Sequence, residues 1–521
     1  MTRMKGAADP ALLVRPEIRR LTAYHFDLAP CRHKLDQNEA PFEPPPPLKQ
    51  RVAAQLLAAD WARYPDFHAG ALRRELGAFH GWPGEGVLVG NGANELLDVC
   101  LSALVTPGGE VLGSEPSFGL YRTMVWKAGG VPRFLPAAAD LRLPLAALLD
   151  EVERDPHRPL LLCSPNNPTG DALAPAAVAA LLERQVGPLL LDNAYGEFSR
   201  HDYRPLLDRH PHLVLLRTFS KAWALAGLRI GYLLADPRLV AELLKAKLPY
   251  NLGHAGVLAG RAALAHLPAA RRRIAVVTAR RAQWREMLAA AGLAVLPSEA
   301  NFLLVRCADP AAARTVRDGL AARGIRVRDV GGYPGLAGCL RISVGSGAAL
   351  RATRKALAEI RGVDGGAFAA AAPVAAAAED TAAATGAAAA EETAGRAGSA
   401  GTAEGALASK DEAAAIKMTF EGEGSAGTGK GAAAAESASA AESAGVAESA
   451  RAVESAAAGE PAWTAEAAVA ASAAGAEEIA WTTKDARAAQ GAESVTAAAA
   501  GRDAPPPGAW KAAGGRRGEV E

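Results

Sequence analysis

Cysteine is scarce in this sequence: five residues, at positions 31, 100, 163, 307 and 339, lie far apart and at irregular intervals in a chain of 521. That spacing offers neither a disulfide framework nor a ligand set for a metal. No stretch of eighteen consecutive apolar residues occurs, and the charged opening Met1 to Pro10 has no apolar run behind it. A membrane-spanning helix and a secretory signal are therefore not expected, and the chain reads as a soluble cytoplasmic protein with no membrane partner.

Large apolar residues thin out from about Val363 onward, where roughly two-fifths of the residues are alanine and Glu-Ser-Ala recurs at 442, 448 and 454. Such a low-complexity stretch cannot bury enough surface to offset the entropy of ordering it, so residues 363–521 are expected to form a disordered tail. The tail carries 23 acidic and 11 basic side chains, a net of −12, against +13 on residues 1–362. A basic body of this kind suits anionic small molecules as well as nucleic acid. No nucleic-acid-binding motif accompanies it, so no nucleic-acid partner is expected, and a solvated arginine-rich surface accounts for the same excess.

The chain is organised around Thr218-Phe-Ser220-Lys221-Ala-Trp-Ala-Leu-Ala-Gly-Leu-Arg229. A lysine whose pKa is lowered by desolvation or nearby positive charge can attack an aldehyde. Hydroxyls at 218 and 220 and the guanidinium fork of Arg229 suit a phosphate. Together they point to pyridoxal phosphate, with Lys221 as the amine. A surface turn with a solvated lysine and arginine is the alternative reading of this stretch alone.

Around it, helix and strand patterns alternate from 71 to 250. Strands are expected at 87–89, 111–113, 130–135, 159–163, 188–191 and 213–217, with helices at 71–80, 96–104, 118–128, 144–153 and 174–184. This is the alternation of an α/β protein with a parallel sheet covered on both faces. Ligands in such sheets bind beyond the carboxyl ends of the strands. Four loops converge there: Ser114 to Phe118, Ser164-Pro-Asn-Asn167-Pro-Thr-Gly170, Asp192-Asn-Ala-Tyr195 and Thr218 to Lys221. The turn Gly90-Asn-Gly92-Ala93-Asn94 opens a helix whose first N–H groups favour a phosphate, although a plain tight turn fits equally. Before the sheet, Pro16 to Leu21 is a short helix candidate. The proline run 44–47 excludes a helix interior, and helical spacing resumes over 48–59. Tyr64 precedes Pro65 in extended conformation, where it can pack locally or reach another subunit. Beyond 250, one long helical region to Ala291, strands at 293–296, 301–305, 325–328 and 339–343, and helices at 310–323 and 348–361 form an α+β unit.

With these motifs in this order, the chain resembles the fold-type I aminotransferases that use pyridoxal phosphate, and within them the histidinol-phosphate aminotransferases, over about residues 15–361. The resemblance rests on Ser164 to Gly170, Asp192 with Tyr195, the lysine stretch at 218–229 and Leu340-Arg341-Ile-Ser-Val-Gly345. It implies a large domain at 56–250 with a mostly parallel, seven-stranded sheet, and a small α+β domain at 251–362 completed by residues 1–55. It implies that Asp192 pairs with the pyridinium nitrogen and that Tyr195 and Asn167 bond the phenolic oxygen, Asn167 also standing beside the substrate. Phe118 would cover the ring, where many relatives have Tyr. Gly92, Ala93, Asn94, Thr218, Ser220 and Arg229 would hold the phosphate, and Tyr64 would reach the phosphate of the neighbouring subunit in a homodimer. Arg341 would clamp the substrate carboxylate, and Lys221 would shuttle the proton at Cα. Many relatives have Glu where this chain has Asn193, a departure expected to affect the chemistry little.

The implied reaction is transamination between L-histidinol phosphate and 2-oxoglutarate, giving imidazole acetol phosphate and L-glutamate in histidine biosynthesis. Arg328 matches the arginine that such enzymes use on the substrate phosphate, with Arg323 and Arg326 as competing candidates for a solvated strand-end charge. Tyr24 matches an aromatic hydroxyl of their substrate pocket. Aromatic amino-acid transamination and decarboxylation of a phosphorylated amino acid such as threonine phosphate are rivals within the fold. A cofactor-sensing regulator is the rival outside enzymology. It wants a DNA-binding module, and the complete set of candidate catalytic residues argues against it.

Overall fold

The computed structural model describes residues 9–19, 21 and 30–363. Two expectations fall outside the described residues: the alanine-rich stretch from 364 to 521, and Tyr24.

Among the described residues, twelve strands build two sheets. They are β1 (His33–Leu35), β2 (Val87–Gly90), β3 (Glu110–Glu115), β4 (Val131–Pro136), β5 (Leu160–Cys163) and β6 (Leu189–Asp192). The remainder are β7 (Leu213–Thr218), β8 (Gly231–Leu234), β9 (Ala294–Val295), β10 (Phe302–Arg306), β11 (Ile325–Asp329) and β12 (Cys339–Ser343). The helices up to the middle of the chain are α1 (Pro16–Arg19), α2 (Pro46–Leu57), α3 (Gly70–His80), α4 (Ala93–Leu104), α5 (Leu120–Lys127) and α6 (Leu145–Arg154). After them come α7 (Pro175–Arg184), α8 (Pro237–Ala246), α9 (His254–Ala265), α10 (Leu267–Ala290), α11 (Pro310–Ala321) and α12 (Gly347–Val363).

The larger sheet has the order β2-β8-β7-β6-β5-β3-β4. Its strands are parallel except β8, which runs antiparallel to both β2 and β7. The central strands are leucine runs because both faces are covered, so alternation between apolar and polar residues has no use there. Successive residues instead alternate between two cores. Leu189, Leu191, Leu213 and Leu215 join one that includes residues of α3, α6, α7 and α9. Leu190, Val214 and Leu216 join the other, with Leu96, Leu97 and Leu101 of α4, Tyr121 and Val125 of α5, and Val240 and Leu243 of α8.

The smaller sheet has the order β1-β11-β12-β10-β9. β1 pairs parallel with β11, so a strand from the start of the chain completes a sheet otherwise made by its later part, and the remaining pairs are antiparallel.

Several expected boundaries shift. α1 ends at Arg19 rather than Leu21. α2 starts inside the proline run: Pro46 and Pro47 occupy its first turn, where a missing N–H leaves no helical bond unmade. The long helical region after 250 is two helices that meet at His266, with Pro268 in the first turn of the second. Three elements, β1, α8 and β8, carry no expectation from the sequence. Among the described residues no helix is long and apolar enough to cross a membrane, and no group of three or more His, Cys, Asp or Glu side chains could hold a metal ion.

Candidate active site

The carboxyl ends of β6 and β7 open into a cavity of about 950 Å³ whose far wall comes from the smaller sheet. Its lining includes Ala93, Asn94, Phe118, Asn167, Asp192 and Tyr195, followed by Thr218, Ser220, Lys221, Arg229, Arg328 and Arg341.

One end of the cavity is built for an anion. Thr218 closes β7; its hydroxyl donates to Ser220 Oγ at 3.0 Å and accepts the Ser220 N–H at 3.1 Å. Arg229, held at φ +51°, donates from Nη1 to the same Ser220 Oγ at 3.3 Å. Gly92 is the N-cap of α4, at φ +82°, and gives the helix no side-chain cap. As at any helix start, the first N–H groups of α4 have no intrahelical partner, an arrangement that favours an anion. A Cβ on Gly92 would strike the Arg229 guanidinium, so glycine lets that side chain lie against the start of the helix.

The opposite end presents an acid. Asp192, the last residue of β6, accepts from Tyr121 Oη at 2.6 Å and from the Ala194 N–H at 3.0 Å. Burial pushes its carboxyl up, against the Tyr121 and Ala194 bonds and the Lys221 charge, which favour the anion. Phe118 stands edge-on to Tyr121, with ring centroids 5.5 Å apart.

Between the two ends lies Lys221. Its Nζ donates to the Gln37 carbonyl at 2.8 Å. Desolvation, with Arg341 as the next cause, brings the amine down to about 7, so near neutral pH a large share is unprotonated and nucleophilic. Arg341 donates to Asn167 Oδ1 at 2.6 Å and to the Asp36 carbonyl at 2.5 Å. Arg328 is its cross-strand partner in the β11–β12 pair, and both line the cavity. Asp36 is 2% exposed, with Arg326 Nε 3.8 Å from its carboxylate, and burial pushes that carboxyl up.

Thus the four loops expected at one sheet edge do meet in one cavity, joined by the two arginines of the smaller sheet. Tyr64 stays outside: its ring is 78% exposed and stacks on Tyr250 at 4.4 Å. Gly92 sits behind the anion end rather than on the cavity wall. Asn193 is buried and turned away from the lining residues; it accepts from Arg217 at 2.7 Å and donates to the Ser164 carbonyl at 2.6 Å. The negative charge that a glutamate there would offer Arg217 comes instead from Glu197, at 3.1 Å.

Two contributors escaped sequence reading. Tyr121, three residues after Phe118, had no motif to mark it. The strap Asp36-Gln37-Asn38 touches Arg341, Lys221 and Tyr195 in turn, the first two through backbone carbonyls, which any residue type supplies. Asn38 alone acts through its side chain.

Residues 33–360 match the family described as aminotransferase class I and II. The chain is 38% identical over 337 residues to a histidinol-phosphate aminotransferase of Chromobacterium violaceum, covering 64% of this chain and 94% of that protein. It is 40% identical over 342 residues to one of Gloeobacter violaceus, covering 64% and 93%. Among solved structures, the histidinol-phosphate aminotransferase of Sinorhizobium meliloti in complex with pyridoxal-5'-phosphate superposes with a TM-score of 0.61 at 29% identity, covering 67% of this chain and 98% of that one.

Proposed function

Because the chain belongs to the aminotransferase class I and II family and is a pyridoxal-phosphate-dependent transaminase, we propose that it moves an amino group between L-histidinol phosphate and 2-oxoglutarate in histidine biosynthesis. The observation that carries the substrate choice is the pair of guanidinium groups, Arg328 and Arg341, side by side on the cavity wall.

The residues present fit the cofactor. Its phosphate matches the anion end, where Ala93, Asn94, Thr218, Ser220 and Arg229 converge beside Gly92. Asp192, kept in place by Tyr121 and the Ala194 N–H, would face the pyridine nitrogen. Asn167 and Tyr195 would hold the phenolic oxygen, and Phe118 would cover the ring. When bound, pyridoxal phosphate supplies an aldehyde that accepts the amino group and a ring that draws electrons from the substrate Cα.

The chain's own residues do the rest. Lys221, unprotonated for much of the time because it is buried near Arg341, gives the covalent link and, once free, takes the Cα proton and returns it on the other side of the exchange. The Gln37 carbonyl gives the freed ammonium a fixed acceptor. Arg341, braced by Asn167 and the Asp36 carbonyl, binds an anionic group of the substrate. L-Histidinol phosphate carries its charge as a phosphate rather than a carboxylate, so Arg328 and Arg341 together suit it, and in the second half-reaction the same two forks take carboxylates of glutamate. Tyr24 belongs to this pocket by resemblance alone.

In this reading residues 251–362 and 1–55 form a small domain around the smaller sheet, and residues 56–250 a large domain around the larger sheet. Trp61, Tyr64, Phe67, Leu248 and Tyr250 are exposed apolar side chains from two neighbouring segments. A second copy covering them would carry Tyr64 to the phosphate of its partner's site, in a cytoplasmic homodimer. The test is a donor panel scored by loss of the cofactor's aldehyde absorbance in a single half-reaction: L-histidinol phosphate should react fastest. A preference for phenylalanine or tyrosine, or carbon dioxide release from O-phosphothreonine, would overturn the substrate assignment and leave the family.

A further inference from the structure

Asn38 sits between β1 and α2, 1% exposed, with its backbone at φ +54°. Asparagine and aspartate enter this left-handed region more readily than other residues with a side chain. Its polar atoms are all engaged. The N–H donates to Ser343 Oγ at 2.9 Å, and the carbonyl accepts from Asn301 Nδ2 at 3.0 Å. Oδ1 accepts from Ser343 Oγ at 3.1 Å, and Nδ2 donates to Tyr195 Oη at 3.0 Å.

The direction of the amide follows from Ser343. Its buried hydroxyl oxygen already accepts the Asn38 N–H, so its hydrogen needs an acceptor, and Asn38 Oδ1 supplies one. With the oxygen turned to Ser343, the NH₂ must face Tyr195. An amide nitrogen only donates. The hydrogen of the Tyr195 hydroxyl therefore cannot be directed at Asn38.

We propose that Asn38 is a positioning residue that fixes the direction of the Tyr195 proton: by donating to the phenol oxygen from behind, it makes Tyr195 a donor toward the cavity, where the phenolic oxygen of bound pyridoxal phosphate would receive that bond. The inference rests on the cofactor reading above and deepens it. Burial pushes the Tyr195 phenol up, while the Arg341 charge and the Asn38 bond oppose that rise. The three-residue strap thus steadies Lys221 through Gln37 and polarises Tyr195 through Asn38.

Asn38→Asp tests the polarity of the bond, because it keeps the size of the side chain and its tolerance for left-handed backbone but turns an acceptor toward Tyr195. The phenol then gives its hydrogen to the new carboxylate, and the cavity loses a donor. A cofactor oxygen short of one donor would hold negative charge less well, so the nitrogen that Lys221 contributes to the covalent link would keep its proton to higher pH. In the holoenzyme, the pH midpoint of the cofactor absorbance should rise by about one unit or more in Asn38→Asp. It should rise less in Asn38→Gly, which accepts the backbone angle and removes the donor without reversing it. In a Tyr195→Phe background Asn38→Asp should add little, since the hydroxyl through which it acts is gone.

A midpoint unmoved in both variants overturns the proposal. So does an Asn38→Asp shift of equal size without the Tyr195 hydroxyl, which is the mark of the new charge acting directly on the cofactor. Circular dichroism checks that each variant is folded, and Asn38→Gly carries the test should the aspartate variant not fold. If the parent protein binds no cofactor at all, the missing absorbance removes the cofactor reading and this proposal with it.

Discussion

Lys221 draws its reactivity from position rather than from chain chemistry. A buried amine beside a guanidinium is cheaper to leave neutral than to charge, and the result is a pKa of about 7. Apoprotein should therefore take up the cofactor covalently at a rate that rises with pH and is half-maximal near 7, followed by stopped-flow absorbance. Arg341→Ala removes the second cause of the depression and should move that midpoint upward. Lys221→Ala should fold and yet show no cofactor mass after borohydride reduction; a retained mass would place the link elsewhere. Arg328 is tested by substrate rather than by pH. Arg328→Ala forfeits charge-assisted bonds worth about 1.5–3 kcal/mol each. It should raise KM for L-histidinol phosphate by at least about tenfold, at about 1.4 kcal/mol per tenfold, and leave phenylalanine nearly untouched. A parent-like KM would return Arg328 to the role of a solvated strand-end charge.

At the level of elements, what could be read in the sequence was what side chains alone enforce. The leucine runs of β5, β6 and β7 announce strands buried on two faces, and the polar residues that follow them announce a site. β8 carried no expectation: Gly231 to Leu234 lies in a six-residue apolar run, Ile230 to Ala235, and a run that short does not by itself distinguish a buried strand from buried helix. β1 escaped because three residues with a single buried side chain make no pattern; its register is set by β11. Yet β8 shapes the site. A Cβ on Gly231 would fall against the Gly92 carbonyl carbon and the Ala93 nitrogen, backbone atoms that cannot swing aside. Gly231→Ala should push the start of α4 off the sheet, lower stability by about 1–3 kcal/mol, and weaken cofactor binding through the displaced phosphate end. Gly227→Ala, whose Cβ would meet nothing within 4 Å, is the control. Equal effects of the two substitutions in denaturant melts and cofactor titrations would sink the argument.

For the whole molecule, the described residues include both sheets, the two cores that flank the larger one and the named lining of the cavity. The remaining stretch is rich in alanine and poor in large apolar residues, a composition that supplies little surface to bury. Limited proteolysis should accordingly leave a stable fragment of about 360 residues. A chain ended at Gly362 should keep the parent's thermal midpoint, oligomeric state and turnover number; loss of solubility or a changed oligomeric state would show that the alanine-rich stretch contributes to the fold. Its charge is another matter. Removing it takes the net charge from +1 to +13 and strips away an acidic counterpart to the basic body. Cationic surroundings raise the local concentration of anionic substrate, and salt screens that attraction, with a Debye length of about 10 Å at 0.1 M and about 3 Å at 1 M. The shortened chain should therefore show a lower KM than the full chain for L-histidinol phosphate at low ionic strength. The two KM values should converge as salt is added, while the turnover numbers stay equal throughout. A difference that persists at high salt would instead mean that the stretch meets the site directly.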